Sequence, residues 1–128
     1  MRALVDTHTF LWSLLEDHRL SASARRILSS EDNELFFSLA SLWEISIQIK
    51  LGKLRAIGSS VAYIRDEMEA YGMEPLPIRY EHILQLEALP IHHSDPFDRL
   101  LIAQSSVESL PILTSDEKFK AYPVQLLW

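Results

Sequence analysis

The sequence predicts an α/β fold in which a parallel β-sheet is flanked by helices. Two patterns carry this prediction. Short apolar runs rich in strand-forming residues recur at wide spacing along the chain, and segments with helical periodicity lie between them. Strands that alternate with helices in this way are typical of a sheet whose strands all run in one direction and are buried on both faces.

Five apolar runs are candidate strands. Each is short and apolar almost throughout, as expected for a strand in the middle of a layered fold. The segment 34–38 could instead begin the helix that follows it, so the sheet is predicted to contain four or five strands. The runs cover residues 3–5, 35–37, 75–78, 111–113 and 124–128.

Helices are predicted between these runs, and several have recognisable boundary residues. Ser21 is a candidate N-cap, and Asp95 followed by Pro96 is typical of a helix start. Gly52 and Gly72 each follow a predicted helix and are suitable residues for a C-terminal stop. The predicted helices cover residues 21–30, 39–51, 59–71, 80–88 and 95–109, with an earlier one around residues 10–12 and only a short crossover at 115–123.

Length and composition indicate one globular domain spanning residues 1–128. The 128 residues are 48% hydrophobic and 23% charged, which is ordinary for a protein with a buried core. Acidic residues number 18 and basic residues 12, so the formal net charge is −6. By bulk charge alone, this balance argues against a basic nucleic-acid-binding face and against a cationic membrane-surface protein.

Several classes of protein are disfavoured by what the sequence lacks. It contains no cysteine, which excludes disulfides, thiolate metal sites and a cysteine nucleophile. No apolar run approaches the roughly 18 residues of a membrane helix, and Asp6 interrupts any secretory signal core. Only three glycines occur, so a glycine-rich phosphate loop is excluded. We therefore expect a soluble, cytoplasmic protein without a membrane partner.

Two acids follow candidate strands. Asp6 comes directly after the first run, and Asp116 comes shortly after the fourth. Because ligands of open parallel sheets bind outside the carboxyl ends of the strands, both carboxylates are expected at the same edge of the sheet. An acid in such a loop is also a common helix cap, and Asp116 could cap a short helix that runs through Lys120. For both acids this alternative stays open.

Two further acids lie in apolar helical segments. Glu44 is the only acid between Leu39 and Leu51, so it is either half-exposed and paired with a nearby base or buried, and an unpaired buried charge is costly. Asp98 stands in the first turn of the apolar helix that Asp95 opens. It could interact with the helix N-terminus, or it could face the interior.

Together these carboxylates predict a metal site. Like charges gathered at one edge of a sheet repel each other, and without a cation some of them would take up protons. Hard divalent cations with oxygen ligands, Mg²⁺ or Mn²⁺, relieve that repulsion and suit the hydrolysis of phosphate esters. The predicted metal-binding and catalytic residues are Asp6, Glu44, Asp98 and Asp116.

Four segments of the chain match a known family pattern. Their order, their spacing and the total length resemble PIN domains, and more narrowly the VapC-type toxin nucleases of bacterial toxin–antitoxin pairs. The resemblance covers essentially the whole chain, and the stretch from His92 to Arg99 is its most specific part. The matching segments are Leu4-Val5-Asp6-Thr7-His8, Trp43-Glu44-Ile45, the run Asp95-Pro96-Phe97-Asp98-Arg99-Leu100-Leu101-Ile102-Ala103-Gln104, and Leu113-Thr114-Ser115-Asp116.

This resemblance implies a three-layer α/β/α sandwich and an endoribonuclease that uses Mg²⁺ or Mn²⁺. Asp6 and Asp98 would bind the metal directly, and Glu44 and Asp116 would bind it directly or through water, or would orient the attacking water. The implied partners are an RNA substrate, a small antitoxin that covers the site, and a second copy of the chain in a homodimer. Hydroxyl groups beside the site would come from Thr7, Thr114 and Ser115.

Basic residues are candidates for contacts with RNA phosphates. Lys50, Lys53 and Arg55 cluster at the end of one predicted helix, although a small cluster of this kind is more often a solvated surface. Arg99 stands beside Asp98 and could bind phosphate or pair with an acid, since a planar guanidinium suits both roles.

Histidines and large aromatic residues are expected to be structural. His8 begins the first helix, and the adjacent His92 and His93 cannot share one face of a zinc site and are expected in a loop. Most of the large apolar residues Phe10, Leu11, Trp12 and Trp43 are expected in the core, and any of them that stays exposed would form a surface for a second copy or an antitoxin.

Two other functions stay open at this point. An aspartate-based phosphatase or phospho-acceptor would use Asp6 as its nucleophile. Phosphatases of that type usually carry a second Asp two residues on, where this chain has His8, and receiver-like domains carry a late lysine that is missing here. A catalytically inactive interaction module would use the acids only for structural metal or for antitoxin binding.

Overall fold

The computed structural model describes residues 1–55, 58 and 60–128. The predicted helix over 59–71 starts at Ser59, which lies outside the described residues, and the helix is observed from Val61. No helix within the described ranges is long and apolar enough to cross a bilayer. The elements in chain order are β1 Arg2–Val5, α1 Thr7–Leu14, α2 Ala22–Ser29, β2 Glu34–Ser38, α3 Leu39–Lys50, α4 Val61–Ala70, β3 Glu74–Leu76, α5 Tyr80–Ala88, α6 Pro96–Glu108, β4 Ile112–Leu113, a 3₁₀-helix Glu117–Ala121 and β5 Leu126–Leu127.

The five strands form one parallel sheet in the order β3-β2-β1-β4-β5. The central strand β1 pairs Leu4 with Phe36 of β2 on one side and Val5 with Leu113 of β4 on the other. The chain leaves β1 toward one edge of the sheet and later returns on the opposite side. Connections that depart in opposite directions leave a crevice beyond the carboxyl ends of the two strands, and the residues that follow β1 and β4 line it.

Side chains alternate between the two faces of the sheet, and each face is covered by helices. Ala3 and Val5 pack in a core with Phe10 of α1, together with residues of α2 and α4. Leu4 points the other way and packs with Leu101 of α6, together with residues of α5. Because successive strand residues face opposite sides, two helical layers are needed to bury them. The predicted three-layer α/β/α sandwich is confirmed, with five strands.

Capping groups fix the helices that border the crevice. The side chain of Ser38 accepts a hydrogen bond from a backbone N–H of the first turn of α3 at 3.0 Å. Oδ1 of Asp95 accepts from the backbone N–H groups of Phe97 and Asp98, both at 2.9 Å, as predicted for the start of α6. Gly52 has a φ of 74° just beyond α3, a left-handed conformation that glycine adopts without strain.

Two regions differ in detail from the prediction or decide between its alternatives. Segment 34–38 is a strand and not the start of the following helix. The run over 124–128 contributes only the strand Leu126–Leu127, since its sole partner β4 is itself two residues long. The short crossover before it is a 3₁₀-helix, which needs fewer residues than an α-helix to turn the chain.

Candidate active site

Asp6 lies at the end of the central strand and is only 3% exposed. It stands at the N-cap position of α1, yet its side chain makes no capping hydrogen bond. Instead, Oδ2 of Asp6 accepts a hydrogen bond from Oγ1 of Thr114 at 3.0 Å. Its other oxygen, Oδ1, is buried and has no partner among the described residues. The open alternative of a helix cap therefore does not account for this carboxylate.

Glu44 reaches the same crevice from α3 and is 8% exposed. It takes part in none of the ion pairs found in the described part of the chain, so the predicted alternative of a half-exposed Glu paired with a base is wrong. Its Oε1 atom is also buried without a partner in the same residues. The Thr7 hydroxyl donates to Oγ of Ser41 at 2.7 Å, and its closeness to Glu44 opposes the effect of burial on the pKa of that carboxyl.

Asp98 lies in the first turn of α6, with its side chain largely buried. Its Oδ2 atom is 2.7 Å from Nε2 of His93, whose side chain is also largely buried. The backbone N–H of Asp98 donates to Asp95, as described above. Asp98 is therefore both an acid at a helix N-terminus and a carboxylate held in a partly buried polar contact, so the two alternatives that the sequence left open both apply.

Burial raises the pKa of all three acids. It is the largest cause for Asp6, whose pKa rises to about 7, and the negative charge of Asp98 adds to it. Burial also raises the pKa of Glu44, again with a contribution from Asp98. Burial raises the pKa of Asp98 itself, whereas its hydrogen bond to His93 acts in the opposite direction. The charge of Asp98 reaches both other carboxylates, so the three share one electrostatic environment.

Asp116 lies at the margin of the crevice and has a second task. Its Oδ1 atom accepts from the backbone N–H of Lys118 at 2.9 Å and caps the 3₁₀-helix, so the capping alternative is observed for this residue. Its backbone N–H donates to Oγ1 of Thr114 at 3.0 Å. The charge of Asp116 also contributes to the raised pKa of Asp98. Asp116 is thus connected to Asp6 through Thr114 and to Asp98 through space.

The donor set fits a hard divalent cation. Over residues 1–55, 58 and 60–128, no three Asp, Glu or His side chains converge tightly enough to hold an ion by themselves. The two orphaned oxygens on Asp6 and Glu44 nevertheless need a partner, because a buried and unpaired charge is costly. Mg²⁺ commonly keeps several waters and binds through only one or two carboxylates. A cation held in that way would satisfy both oxygens.

The three residues predicted to supply hydroxyl groups beside the site, Thr7, Thr114 and Ser115, differ in their burial and contacts. Thr7 and Thr114 are buried, and their hydroxyls bond to Ser41 and Asp6. The Thr114 hydroxyl therefore positions an acid of the crevice, and the Thr7 hydroxyl connects α1 to α3 beside it. Ser115 is exposed beside Thr114, on the solvent side of the crevice.

The basic cluster lies at the far end of α3. Lys50 and Lys53 are exposed, as is Arg55 in the turn that follows. Glu44 lies six residues before Lys50 on the same helix, which corresponds to a separation of about 9 Å along the helix axis. The cluster is therefore close to the crevice but outside it.

Arg99 donates to backbone carbonyls and to one hydroxyl group, and its contact with phosphate stays a prediction. Its Nη1 atom donates to the carbonyl of Pro90 at 2.9 Å and to the hydroxyl oxygen of Tyr122 at 3.1 Å. Its Nη2 atom lies 3.4 Å from the carbonyls of Leu86 and Leu89. It forms no ion pair with any acid in the described residues. The physical reason is that the end of α5 leaves carbonyl groups without helical partners, and the guanidinium supplies donors to them.

Sequence reasoning missed His93 and Tyr122. The backbone N–H groups of His92 and His93 both donate to the hydroxyl oxygen of Tyr122, at 3.1 Å and 3.0 Å. The predicted loop is present, but within it the His93 ring turns to Asp98. Periodicity and composition carry no signal for this contact. The one available signal is that both histidines belong to the stretch most specific to the family resemblance.

The large aromatic residues are only partly in the core. Phe10 is fully buried, and the half-buried Trp12 contacts Trp128 with ring centroids 5.9 Å apart. Trp43 is 58% exposed and meets the ring of Phe97 edge-on at 5.1 Å. Of the two alternatives left open for these residues, exposure therefore applies to Trp43, which faces outward from α3 one residue before Glu44.

Comparisons with known proteins agree with the fold and with the family suggested by the sequence. A family model described as the PIN domain matches residues 3–125. Ribonuclease VapC16 from Mycobacterium tuberculosis is 38% identical over 68 residues. That match spans 50% of this chain and 48% of the relative, so it extends over about half the length of that protein.

Solved structures share the fold over nearly the whole chain. The structure of VapBC2 from Rickettsia felis, bound to a DNA fragment from its promoter, superposes with a TM-score of 0.71 at 15% identity and covers 99% of this chain and 98% of that one. A toxin–antitoxin complex from Klebsiella pneumoniae gives a TM-score of 0.65 at 19% identity, with coverages of 98% and 96%. At these identities the likeness concerns the fold.

Proposed function

Because the chain belongs to the PIN domain family, we propose that it is a Mg²⁺- or Mn²⁺-dependent endoribonuclease that acts as the toxin of a toxin–antitoxin pair. One observation carries the proposal. The buried carboxylates of Asp6 and Glu44 and the half-buried carboxylate of Asp98 gather in the crevice of the sheet, and the two buried ones have an oxygen without a partner in the described residues. The similarity of half the chain to Ribonuclease VapC16 supports RNA as the substrate.

The carboxylates divide the binding of the cation between them. Asp6 and Asp98 would bind it directly, and Glu44 and Asp116 would bind it directly or through water. When bound, the cation would neutralise the clustered charge, lower the pKa of water and offset negative charge on the phosphate. The raised pKa values of the metal-free acids support this assignment, because a nearby positive charge would favour the ionised form of each of them.

Side chains of the protein would prepare the crevice for hydrolysis. Thr114 bonds to Oδ2 of Asp6 and so leaves Oδ1 for the cation. Glu44 would accept a proton from the attacking water at Oε1, since its raised pKa brings it nearer to the neutral pH at which a general base works best. The Thr7 hydroxyl opposes the rise in the pKa of Glu44 and so favours the ionised form that can accept the proton.

RNA would meet the protein through its backbone phosphates. Lys50 and Lys53 would contact phosphates at the C-terminal end of α3, and Ser115 would offer a hydroxyl at the other side of the crevice. Of 18 acids, four belong to the site, and the remaining 14 against 12 basic residues leave a charge of −2. Without a cation the site repels RNA, so binding there should depend on the metal.

Protein partners would use the outer face of α3. Four large apolar side chains on this face recur every fourth residue and are exposed. We assign this face to a second copy of the chain in a homodimer, while a small antitoxin would cover the adjoining crevice. The Klebsiella pneumoniae complex supports an antitoxin partner, and we place the pair in the cytoplasm. The residues of this α3 face are Leu39, Trp43, Ile47 and Leu51.

Cleavage of an RNA pool by the purified protein tests the proposal. The protein, freed of any antitoxin, is incubated with total RNA in Mg²⁺, in Mn²⁺ and in excess chelator. Cleavage is expected with either metal and not in chelator. Asp6→Asn and Asp98→Asn should abolish it, while circular dichroism shows an unchanged fold. Glu69→Gln, an exposed acid on α4, is the matched control and should cleave normally.

Two outcomes would contradict the proposal in different ways. Cleavage that survives both Asn variants, or that persists in chelator, would mean that another site or a contaminating nuclease is responsible. A protein that binds metal and a partner but cleaves no RNA under any condition would be the inactive interaction module. Trapping of an aspartyl-phosphate on Asp6 would favour a phosphatase.

A further inference from the structure

The loop between α5 and α6 holds a histidine against one acid of the crevice. Nε2 of His93 and Oδ2 of Asp98 are 2.7 Å apart, and 9% and 15% of the two side chains are exposed. With the carboxylate as the acceptor, the imidazole carries its proton on Nε2. A short, largely desolvated hydrogen bond of this kind fixes the rotation of a carboxylate far more firmly than an exposed one does.

The loop that carries His93 is anchored through its backbone. Two successive backbone N–H groups, of His92 and His93, donate to the one hydroxyl oxygen of Tyr122. The Tyr122 side chain is buried near the end of the chain, beyond the 3₁₀-helix. This contact joins residues about 30 positions apart and leaves the His93 ring free to bond elsewhere.

Arg99 connects the same anchor to α6. Its Nη1 atom donates to the Tyr122 oxygen as well, and its other contacts hold the carbonyls at the end of α5. Arg99 directly follows Asp98 in the sequence. Asp98, Arg99, Tyr122 and His93 therefore form a closed ring of contacts, in which Asp98 and Arg99 are joined by the chain and the others by hydrogen bonds. A displacement of any one of them would move the carboxylate.

We propose that His93 is a positioning residue for Asp98, and that Tyr122 and Arg99 hold its loop in place. The inference rests on the proposed function, because it assigns Asp98 to the cation. His93 occupies Oδ2, which leaves Oδ1 of Asp98 for the metal. The negative charge of Asp98 acts on both Asp6 and Glu44, so its carboxylate lies near both of them. Partners that orient a metal ligand commonly contribute about 10- to 100-fold to the affinity for the metal.

A competing interpretation predicts the opposite sign. If the imidazole only stands in for an absent cation, it must leave when the metal arrives, and its removal would strengthen metal binding. If it positions Asp98, its removal would weaken metal binding. The direction of one measured change therefore separates the two.

Binding of Mn²⁺ to the metal-free protein, measured by electron paramagnetic resonance and calorimetry, tests the inference. His93→Ala is expected to weaken Mn²⁺ binding at least about tenfold. His93→Gln should recover much of the loss, because its amide nitrogen reaches nearly as far as Nε2. Tyr122→Phe should weaken binding in the same direction. His18→Asn, at an exposed histidine outside this loop, is the control and should bind as the unaltered protein does.

The outcomes separate this inference from the proposed function. Unchanged or tighter Mn²⁺ binding by His93→Ala, with the melting temperature unchanged, would overturn the positioning role. An equal loss in His93→Gln and His93→Ala would also overturn it, since the donor would then be irrelevant. If Asp98→Asn binds Mn²⁺ like the unaltered protein, the metal assignment itself fails. The His93 Nε2–H signal in nitrogen-15 spectra of the metal-free protein, expected to disappear in Asp98→Asn, shows independently whether the hydrogen bond exists.

Discussion

Thr114 donates a hydrogen bond from Oγ1 to Oδ2 of Asp6 at 3.0 Å, across 108 positions of sequence. Oγ1 of Thr114 also accepts a hydrogen bond from the backbone N–H of Asp116 at 3.0 Å. One hydroxyl therefore fixes an acid at the end of β1 and the turn that follows β4. It also opposes the effect of burial on the pKa of Asp6, so its loss should be felt in both stability and metal binding.

Replacement of Thr114 by Val removes this hydroxyl and keeps the shape of the side chain. We expect Thr114→Val to lower the free energy of unfolding by about 1–3 kcal/mol, because Asp6 and the Asp116 N–H lose a buried partner. Binding of Mn²⁺ at pH 7 should weaken as well, since the pKa of Asp6 rises further. Urea denaturation and calorimetry measure the two effects. Thr114→Ser, which keeps the hydroxyl, should retain metal binding, and equal losses in both variants would refute the role of the hydroxyl.

The stability of the metal-free protein should decrease as the pH rises from about 4 to 7. The pKa of Asp6 is about 7 in the folded protein and that of an unfolded Asp is about 3.9, so the folded state holds the extra proton in this interval. Glu44 and Asp98 act in the same direction. Urea midpoints in chelator at pH 5 and 7.5 measure the effect. Mg²⁺ should abolish the decrease and Asp6→Asn should reduce it, whereas a midpoint that rises with pH would contradict the assignment.

Glu44→Gln should stabilise the metal-free protein at neutral pH while it removes cleavage activity. The substitution takes a charge out of a buried site where Asp98 repels it, and a gain of about 1 kcal/mol is expected for relief at a strained functional site. Chemical denaturation in chelator and the RNA cleavage assay provide the two measurements. Glu69→Gln, on the exposed side of α4, should change neither by much. A destabilised Glu44→Gln would show that the carboxylate is satisfied without metal.

A charge on the α3 face should break the proposed homodimer. Ile47→Asp and Leu51→Asp place a carboxylate among exposed apolar side chains, and desolvating it in an interface would be costly. Size-exclusion chromatography with light scattering should show a dimer for the unaltered chain and a monomer for both variants. Leu15→Asp, at an exposed apolar residue after α1, is the control and should stay dimeric. A monomer before any substitution would rule out this use of the face.

Local signals explain why most of the fold could be predicted from the sequence. Ser21 and Asp95 cap helices through their own side chains, and Gly52 adopts the left-handed conformation that ends α3. Leu4 points to the opposite face of the sheet from its neighbours Ala3 and Val5, so the two cores lie on opposite faces. Each of these features depends on residues within a few positions, so the sequence pattern contains the information.

The candidate site was only partly predictable, because its details depend on contacts between distant segments. The four acids could be named from their places after strands and in apolar helices. The capping role of Asp116 stayed an open alternative, and the use of Arg99 could not be foreseen, since the carbonyls it holds lie on another helix. The bond between His93 and Asp98 requires a loop anchored by Tyr122, about 30 positions away. No local sequence pattern predicts the contact between this loop and Tyr122.

The long separation in sequence between Asp6 and Thr114 affects when the site can assemble during synthesis of the chain. On the ribosome β1 emerges well before its partner β4 and the α6 residue Asp98. A domain generally folds as a unit, and pairings between distant segments are slow to form. A nascent chain that has not yet reached β4 and Thr114 therefore lacks the contacts that complete the acid cluster. If the protein cleaves RNA, the ribosome and message that make it are protected by chain order until this segment has emerged.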